Sequence, residues 1–223
     1  MKTEADENYL KEIYTLQMEQ TPVSTSSLAQ RFGYSSATIT GMLKKLASLD
    51  WVVYKPYYGV TLTETGTAIA LEVIRRPRLI ETFLVQALDI PWDRVHQEAE
   101  RLEHSLSAYL EDRIDAHLGY PSFDPHGSPI PTSTGLIESQ SHSTLGSLPV
   151  GTACEIVEVN DRDPRVLIYL DQLKLGLKSV LEILHIEPID GLVTILVDGN
   201  KVMLGPAIAN QIFVRVIYAP LTR

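Results

Sequence analysis

Apolar residues fall at helical spacing from the first turns of the chain. Tyr9, Leu10, Ile13, Tyr14 and Leu16 share one face, which predicts an amphipathic helix over about residues 6–19, ended by Pro22. A short helix follows around Leu28, with hydroxyl residues at its start and Gly33 just past its end. After Tyr34-Ser35-Ser36, a third helix carries Ile39, Met42, Leu43 and Leu46 inward and Thr38, Thr40, Gly41, Lys44 and Lys45 outward. Two short helices joined by a few residues that include Gly predict a helix-turn-helix. Alternating strands at 51–55 and 59–62 around Pro56-Tyr57-Tyr58-Gly59 add a hairpin, or wing.

Helical periodicity resumes from Arg78 to about Leu88 and from about Trp92 to Leu118, where Val95, Ala99, Leu102, Leu106 and Leu110 form the inward stripe. Residues 119–149 are rich in Gly, Pro, Ser and His without periodicity and read as a linker. Beyond them, strand-like runs at 154–159, 180–186, 192–197, 201–204 and 213–217, with turns at Asp190-Gly191 and Asp198-Gly199-Asn200, predict a small β-barrel.

Composition narrows the class. The 223 residues are 44% hydrophobic, enough for a sizeable core, and no apolar run approaches the roughly 18–20 residues that span a bilayer. The first residues lack the blocks of a secretory signal, and the single cysteine, Cys154, cannot form an intrachain disulfide. A cytoplasmic protein without membrane association is expected. The net charge of −9 argues against a chain that coats nucleic acid. Locally, however, residues 24–60 carry Arg31, Lys44, Lys45 and Lys55 against Asp50, a balance of 4 − 1 = +3, whereas residues 61–120 hold eleven acids and six bases. A duplex-contacting module beside a cation-binding one has this distribution, although two segments of an ordinary protein can differ as much.

A recognition helix needs small polar groups near its N-terminus and cations along it. Ser35, Ser36, Ala37, Thr38, Thr40 and Gly41 suit close approach to a groove; Arg31, Lys44, Lys45, Lys55 and Tyr57 suit phosphates. No Arg, Asn or Gln early in that helix offers a bidentate base contact, so specificity from shape is expected. The pattern also fits a plain three-helix domain with a hairpin.

A second constellation is His96-Gln97-Glu98-Ala99-Glu100-Arg101-Leu102-Glu103-His104. On a helix His96, Glu100, Glu103 and His104 form one strip of imidazoles and carboxylates, and Glu81 on the preceding helix can meet His96. Such donors without thiolate favour Mn²⁺ or Fe²⁺, with Zn²⁺, Co²⁺ or Cd²⁺ as substitutes in vitro. A solvated face that happens to hold two histidines looks the same. Glu98 and Glu111 read as surface charges, His117 and His126 as linker or helix-end residues, and Cys154 as a core residue.

Together, 7–14, 24–66, 78–84, 95–104 and the segment Asp124-Pro125-His126-Gly127-Ser128-Pro129-Ile130-Pro131 resemble the diphtheria-toxin-repressor family of iron- and manganese-dependent regulators. The resemblance covers nearly the whole length. It implies a mainly α N-terminal part, with a winged helix-turn-helix at 1–72 and a helical dimerisation and metal-binding domain at 73–120. A linker at 121–149 and a small all-β SH3-like (FeoA-like) barrel at 150–223 complete the expected organisation. It also implies a homodimer that represses metal-uptake genes from a palindromic duplex operator when Mn²⁺, or alternatively Fe²⁺, is plentiful. The primary metal site implied is Asn8, Glu100, Glu103 and His104; Glu100 stands where iron-sensing members carry Cys and manganese-sensing members Glu. The ancillary site implied is Glu81 and His96 with β-domain residues, for which Asp161 and Asp163 are the candidates.

Two positions depart from the family pattern. Pro77 replaces a His, removes a ligand and biases Arg76 away from helix. Asn8 offers a neutral amide where manganese regulators tend to have Asp. A winged-helix regulator of a small organic effector, without a functional metal site, is the alternative. An enzyme with a small-molecule substrate is not expected: the lone Glu-x-x-His, Glu182 to His185, lies in a strand-like run, whereas di-metal oxidases need pairs on facing helices.

Overall fold

The computed structural model describes every residue except 1, 19, 104, 138–141 and 219–223. The chain folds into two compact units: Met1–Arg76 with Pro131–Ile137, and Pro77–Ile130 with Glu138–Arg223.

Unit 1 opens with α1, Glu4–Gln17, whose cap is reciprocal: the Thr3 hydroxyl accepts from Asp6 N, and Asp6 accepts from Thr3 N. Helices α2, Thr25–Phe32, and α3, Ser36–Ser48, are capped by Ser24 and Ser35, and Gly33 supplies the left-handed residue (φ +68°) between them. Strands β1, Val52–Lys55, and β2, Gly59–Leu62, pair antiparallel with Lys55 opposite Gly59. A Cβ on Gly59 would lie 2.5 Å from the Val23 carbonyl, whose residue bridges to Val60, so only glycine lets the wing dock there. Leu10, Ile13, Leu28, Ile39, Leu43 and Leu46 are fully buried, and each such side chain contributes about 1.5–3 kcal/mol.

Helix α4, Glu64–Leu88, runs unbroken through Pro77, contrary to the expected interruption at Arg76. The buried residues Ala70, Leu71 and Ile74 before the proline and Leu79, Ile80 and Leu84 after it explain this. Their burial outweighs the roughly 3 kcal/mol that an interior proline costs.

In unit 2, the helix expected from Trp92 to Leu118 is two helices, α5, Val95–Glu103, and α6, Ala108–His117. Ser107 causes the restart, its hydroxyl accepting from Leu110 N. Val95 and Ala99 of the inward stripe are buried against Ile80 and Leu84, but Leu102 and Leu110 are exposed. Strands β3, Ser143–Thr144, β4, Ala153–Val159, β5, Val180–Ile186, β6, Val193–Val197, β7, Asn200–Leu204, and β8, Ile212–Tyr218, form one antiparallel sheet in the order β3-β8-β4-β5-β6-β7. Two helices accompany it: α7, Pro164–Gln172, started by the Asp163 cap and Pro164, and α8, Pro206–Ala209. Leu145, Ile156, Leu167, Leu170, Ile183, Ile195 and Cys154 lie in its core, and burial pushes the Cys154 thiol up to about 11.

Candidate metal centre and nucleic-acid interface

The first part of the segment read from sequence as a linker, up to Ile130, is held tightly in unit 2. The Asp124 Oδ1 accepts from the backbone N–H groups of His126 and Ser128, each at 2.9 Å, and Arg78 on α4 donates to the Pro129 carbonyl. Gly127 (φ +89°) lies so close to β4 that a Cβ there would be 2.0 Å from the Val157 carbonyl oxygen. These restraints bury Asp124 and His126 completely.

Around them Glu81 comes from α4, His96 from α5 and Asp161 from the turn after β4. His126 Nδ1 is 3.8 Å from Glu81 Oε2 and 3.6 Å from Asp161 Oδ2. His96 Nδ1 is 2.8 Å from Glu81 Oε1, and its Nε2 is 3.4 Å from Glu100 Oε1. Two overlapping sets of metal-ligand type result, Glu81–Asp124–His126 and Glu81–His96–Asp161, each with donor atoms within 4.8 Å of one another.

Hydrogen bonding distinguishes the two imidazoles. His126 Nε2 lies 2.8 Å from the Trp92 carbonyl, which can only accept, so Nε2 carries the hydrogen and a neutral ring keeps its lone pair on Nδ1. Glu81 Oε2, Asp124 Oδ2 and His126 Nδ1 are all buried without a hydrogen-bond partner among the described residues. The Arg78 Nε, 3.6 Å from Asp124 Oδ2, is too far for a hydrogen bond and offsets only part of the repulsion among these acceptors; a cation in their midst would relieve the rest. Two carboxylates and an imidazole nitrogen without thiolate suit a divalent ion such as Mn²⁺, Fe²⁺ or Zn²⁺. His96, by contrast, is raised to about 9 by its hydrogen bond to Glu81, against burial and with help from the charges of Glu81, Asp161 and Glu100. Burial raises Asp124 to about 7, although Arg78 and His126 pull it down. A cation would compete with both protons.

The sequence-predicted ligands are thus placed differently. Glu81, His96 and Asp161 meet, whereas Asp163 caps α7 and pairs with the exposed Arg165. Glu100 and the half-buried Glu103 lie on α5 of unit 2 and Asn8, exposed, on α1 of unit 1; His104 is outside the described residues. His126 and Asp124 escaped sequence reasoning, and Glu111, read as a surface charge, is buried. The available signal was an acid and an imidazole two apart, followed by a glycine that the backbone requires.

In unit 1, Ser36, Ala37, Thr38, Gly41 and Lys44 are exposed on α3, with Thr40 half-buried at its flank. The Ser35 hydroxyl caps α3 by accepting from Thr38 N. Lys44 and Thr40 face Tyr54 and Tyr57 of the wing across a cleft of about 510 Å³, and Lys55 and Tyr57 are exposed. A Cβ on Gly41 would meet nothing within 4 Å, so no packing inside the fold requires glycine at this helix position. Arg31 is ion-paired with Glu12, and Lys45 with Asp6, whose carboxyl lies below its usual range because Lys45 and Thr3 outweigh burial.

Residues 1–60 match the family model described as iron dependent repressor, N-terminal DNA binding domain. Residues 63–132 match its metal binding and dimerisation domain, and 143–216 match the FeoA domain. The iron-dependent repressor IdeR of Mycobacterium tuberculosis is 35% identical over 132 residues, 59% of this chain and 56% of that protein; the chain spans little more than half the length of this relative. The regulator MntR of Geobacillus kaustophilus is 31% identical over 120 residues, 54% of this chain and 84% of that one. Among solved structures, one described as a manganese-dependent transcriptional repressor in complex with manganese is 39% identical. It superimposes with a TM-score of 0.87 over 95% of this chain and 100% of its own.

Proposed function

Since the chain belongs to the iron-dependent repressor family, which includes the diphtheria toxin repressor, we propose that it is a metal-dependent, DNA-binding transcriptional repressor responding to Mn²⁺. The observation that carries the metal reading is the convergence of Glu81 Oε2, Asp124 Oδ2 and His126 Nδ1, buried and without a hydrogen bond among the described residues, beside Asp161. Oxygen and imidazole donors favour Mn²⁺, with Fe²⁺ the alternative and Zn²⁺, Co²⁺ and Cd²⁺ able to substitute.

These residues form the ancillary site, with His96 ordering Glu81. A primary site would draw on Asn8, Glu100, Glu103 and His104. The exposed face of α3, from Ser36 to Lys44, enters the major groove, and Lys55 and Tyr57 follow the backbone. A homodimer places two such heads on a palindromic operator of metal-uptake genes in the cytoplasm, and metal and DNA each strengthen the binding of the other by about 1–3 kcal/mol. The protein acts by binding and carries out no catalysis.

Operator affinity measured with chelator and with saturating Mn²⁺ tests this. Tightening by about 5-fold or more is expected, and equal affinity would exclude metal sensing. Replacing Glu103 and His104 together with alanine is expected to abolish the response.

A further inference from the structure

Two of the four cations between residues 24 and 60 are already engaged inside unit 1. Between residues 24 and 60 the bases are Arg31, Lys44, Lys45 and Lys55. Lys45 reaches from α3 back to α1, where its Nζ lies 2.5 Å from Asp6 Oδ1. Arg31, in the last turn of α2, is ion-paired with Glu12, further along the same helix α1. Lys44 and Lys55 are exposed and make no ion pair among the described residues.

The two engaged pairs differ in strength. The Asp6 side chain has no exposed surface, and its other oxygen closes the α1 cap by accepting from Thr3 N. Withdrawing Lys45 toward a phosphate would strand a buried carboxylate, which is costly. The Glu12 side chain keeps 17% of its surface exposed against none for Asp6, so releasing Arg31 strands no fully buried carboxylate and that pair yields more easily.

Resting on the reading that this head binds DNA, we propose that α1 is an electrostatic brake on the head. Asp6 holds Lys45, and Glu12 holds Arg31, away from the phosphates, leaving Lys44 and Lys55 to contact them. Asp6 is a positioning residue, acting on DNA through Lys45. The brake keeps the affinity of a single head low, so that occupancy of DNA depends on both heads being held in register.

Salt dependence reveals how many phosphates are neutralised, because each one steepens the slope of log K against log salt by about 0.9. The full-length protein with saturating Mn²⁺ is titrated onto a fluorescein-labelled random-sequence duplex over a range of salt. D6N/E12Q is expected to steepen the slope by about 1.8 per head, and K44M to flatten it by about 0.9 per head. Since K45M alone would strand Asp6, the informative variant is D6N/K45M, which removes both charges and is expected to keep the wild-type slope. A D6N/K45M slope as shallow as that of K44M, or a D6N/E12Q slope equal to wild type, would overturn the brake alone. Wild-type binding without any salt dependence would overturn both the brake and the DNA reading.

Discussion

The Nε2–H of His126 is donated to the Trp92 carbonyl at 2.8 Å, and the Trp92 ring stacks over the imidazole with centroids 5.9 Å apart. Together these contacts fix the tautomer and the plane of the ring, so that Nδ1 points at Glu81 and Asp161. Replacing His126 with Gln is therefore expected to remove one bound Mn²⁺ per chain, or weaken it by at least about 10-fold, roughly 1.4 kcal/mol. Metal analysis after dialysis against Mn²⁺ gives the stoichiometry. An unchanged count would remove His126 from the centre.

Above about pH 7 the ion-free protein is expected to have a pH dependence set by His96. Its folded value of about 9 lies above the ordinary 6.5, so the stability it contributes is complete below pH 6.5 and lost as pH rises through about 9. Glu81, Asp161 and Glu100 are the groups that face it. Urea midpoints in the presence of chelator are expected to fall across that window, and H96Q to flatten the fall. Asp124 titrates lower, near 7, so the upper half of the window isolates His96.

Gly127 sets the position of both buried candidate ligands, Asp124 and His126. With an alanine Cβ 2.0 Å from the Val157 carbonyl oxygen, on a backbone at φ +89°, the segment must move away from β4. The expected cost is at least about 1–3 kcal/mol in urea denaturation, together with weakened Mn²⁺ binding. If G127A unfolds at the wild-type urea concentration, the close approach is wrong.

Gly41 separates stability from binding. Alanine there meets open space and should stabilise α3 by about 0.5–1 kcal/mol, while adding a methyl group to the face proposed to enter the groove. A higher melting temperature with weaker operator binding is expected. A variant that binds DNA as well as the parent would show that Gly41 does not approach the duplex closely.

Sequence periodicity read well where one face of an element is buried throughout. Helices α1 to α3, the wing and the strands β4 to β8 of unit 2 have inward positions set largely by Leu, Ile and Val, whereas β3, Ser143–Thr144, lies in the stretch read as a linker. It read poorly where a local device overrides the pattern. The Ser107 cap divides one apolar stripe into α5 and α6, and packing on both sides of Pro77 carries α4 through a residue that ordinarily ends a helix. The candidate metal cluster was half legible. Glu81 and His96 lie on helices, where spacing has meaning, but Asp124 and His126 belong to an aperiodic segment whose burial depends on Arg78 and Gly127, distant in sequence or invisible to periodicity.

The donors proposed for the ion come from three separate stretches of chain, at 81, 124–126 and 161. An ion gripped there ties together parts that would otherwise be free to separate, and so favours the folded chain over every opened form. At an ion concentration a hundred times the dissociation constant this amounts to about 2.7 kcal/mol, which reduces the opened population roughly a hundredfold. Proteases act on such opened forms, so an ion bound there would lengthen the survival of each molecule. A cell rich in the ion would accumulate the protein without any change in its synthesis.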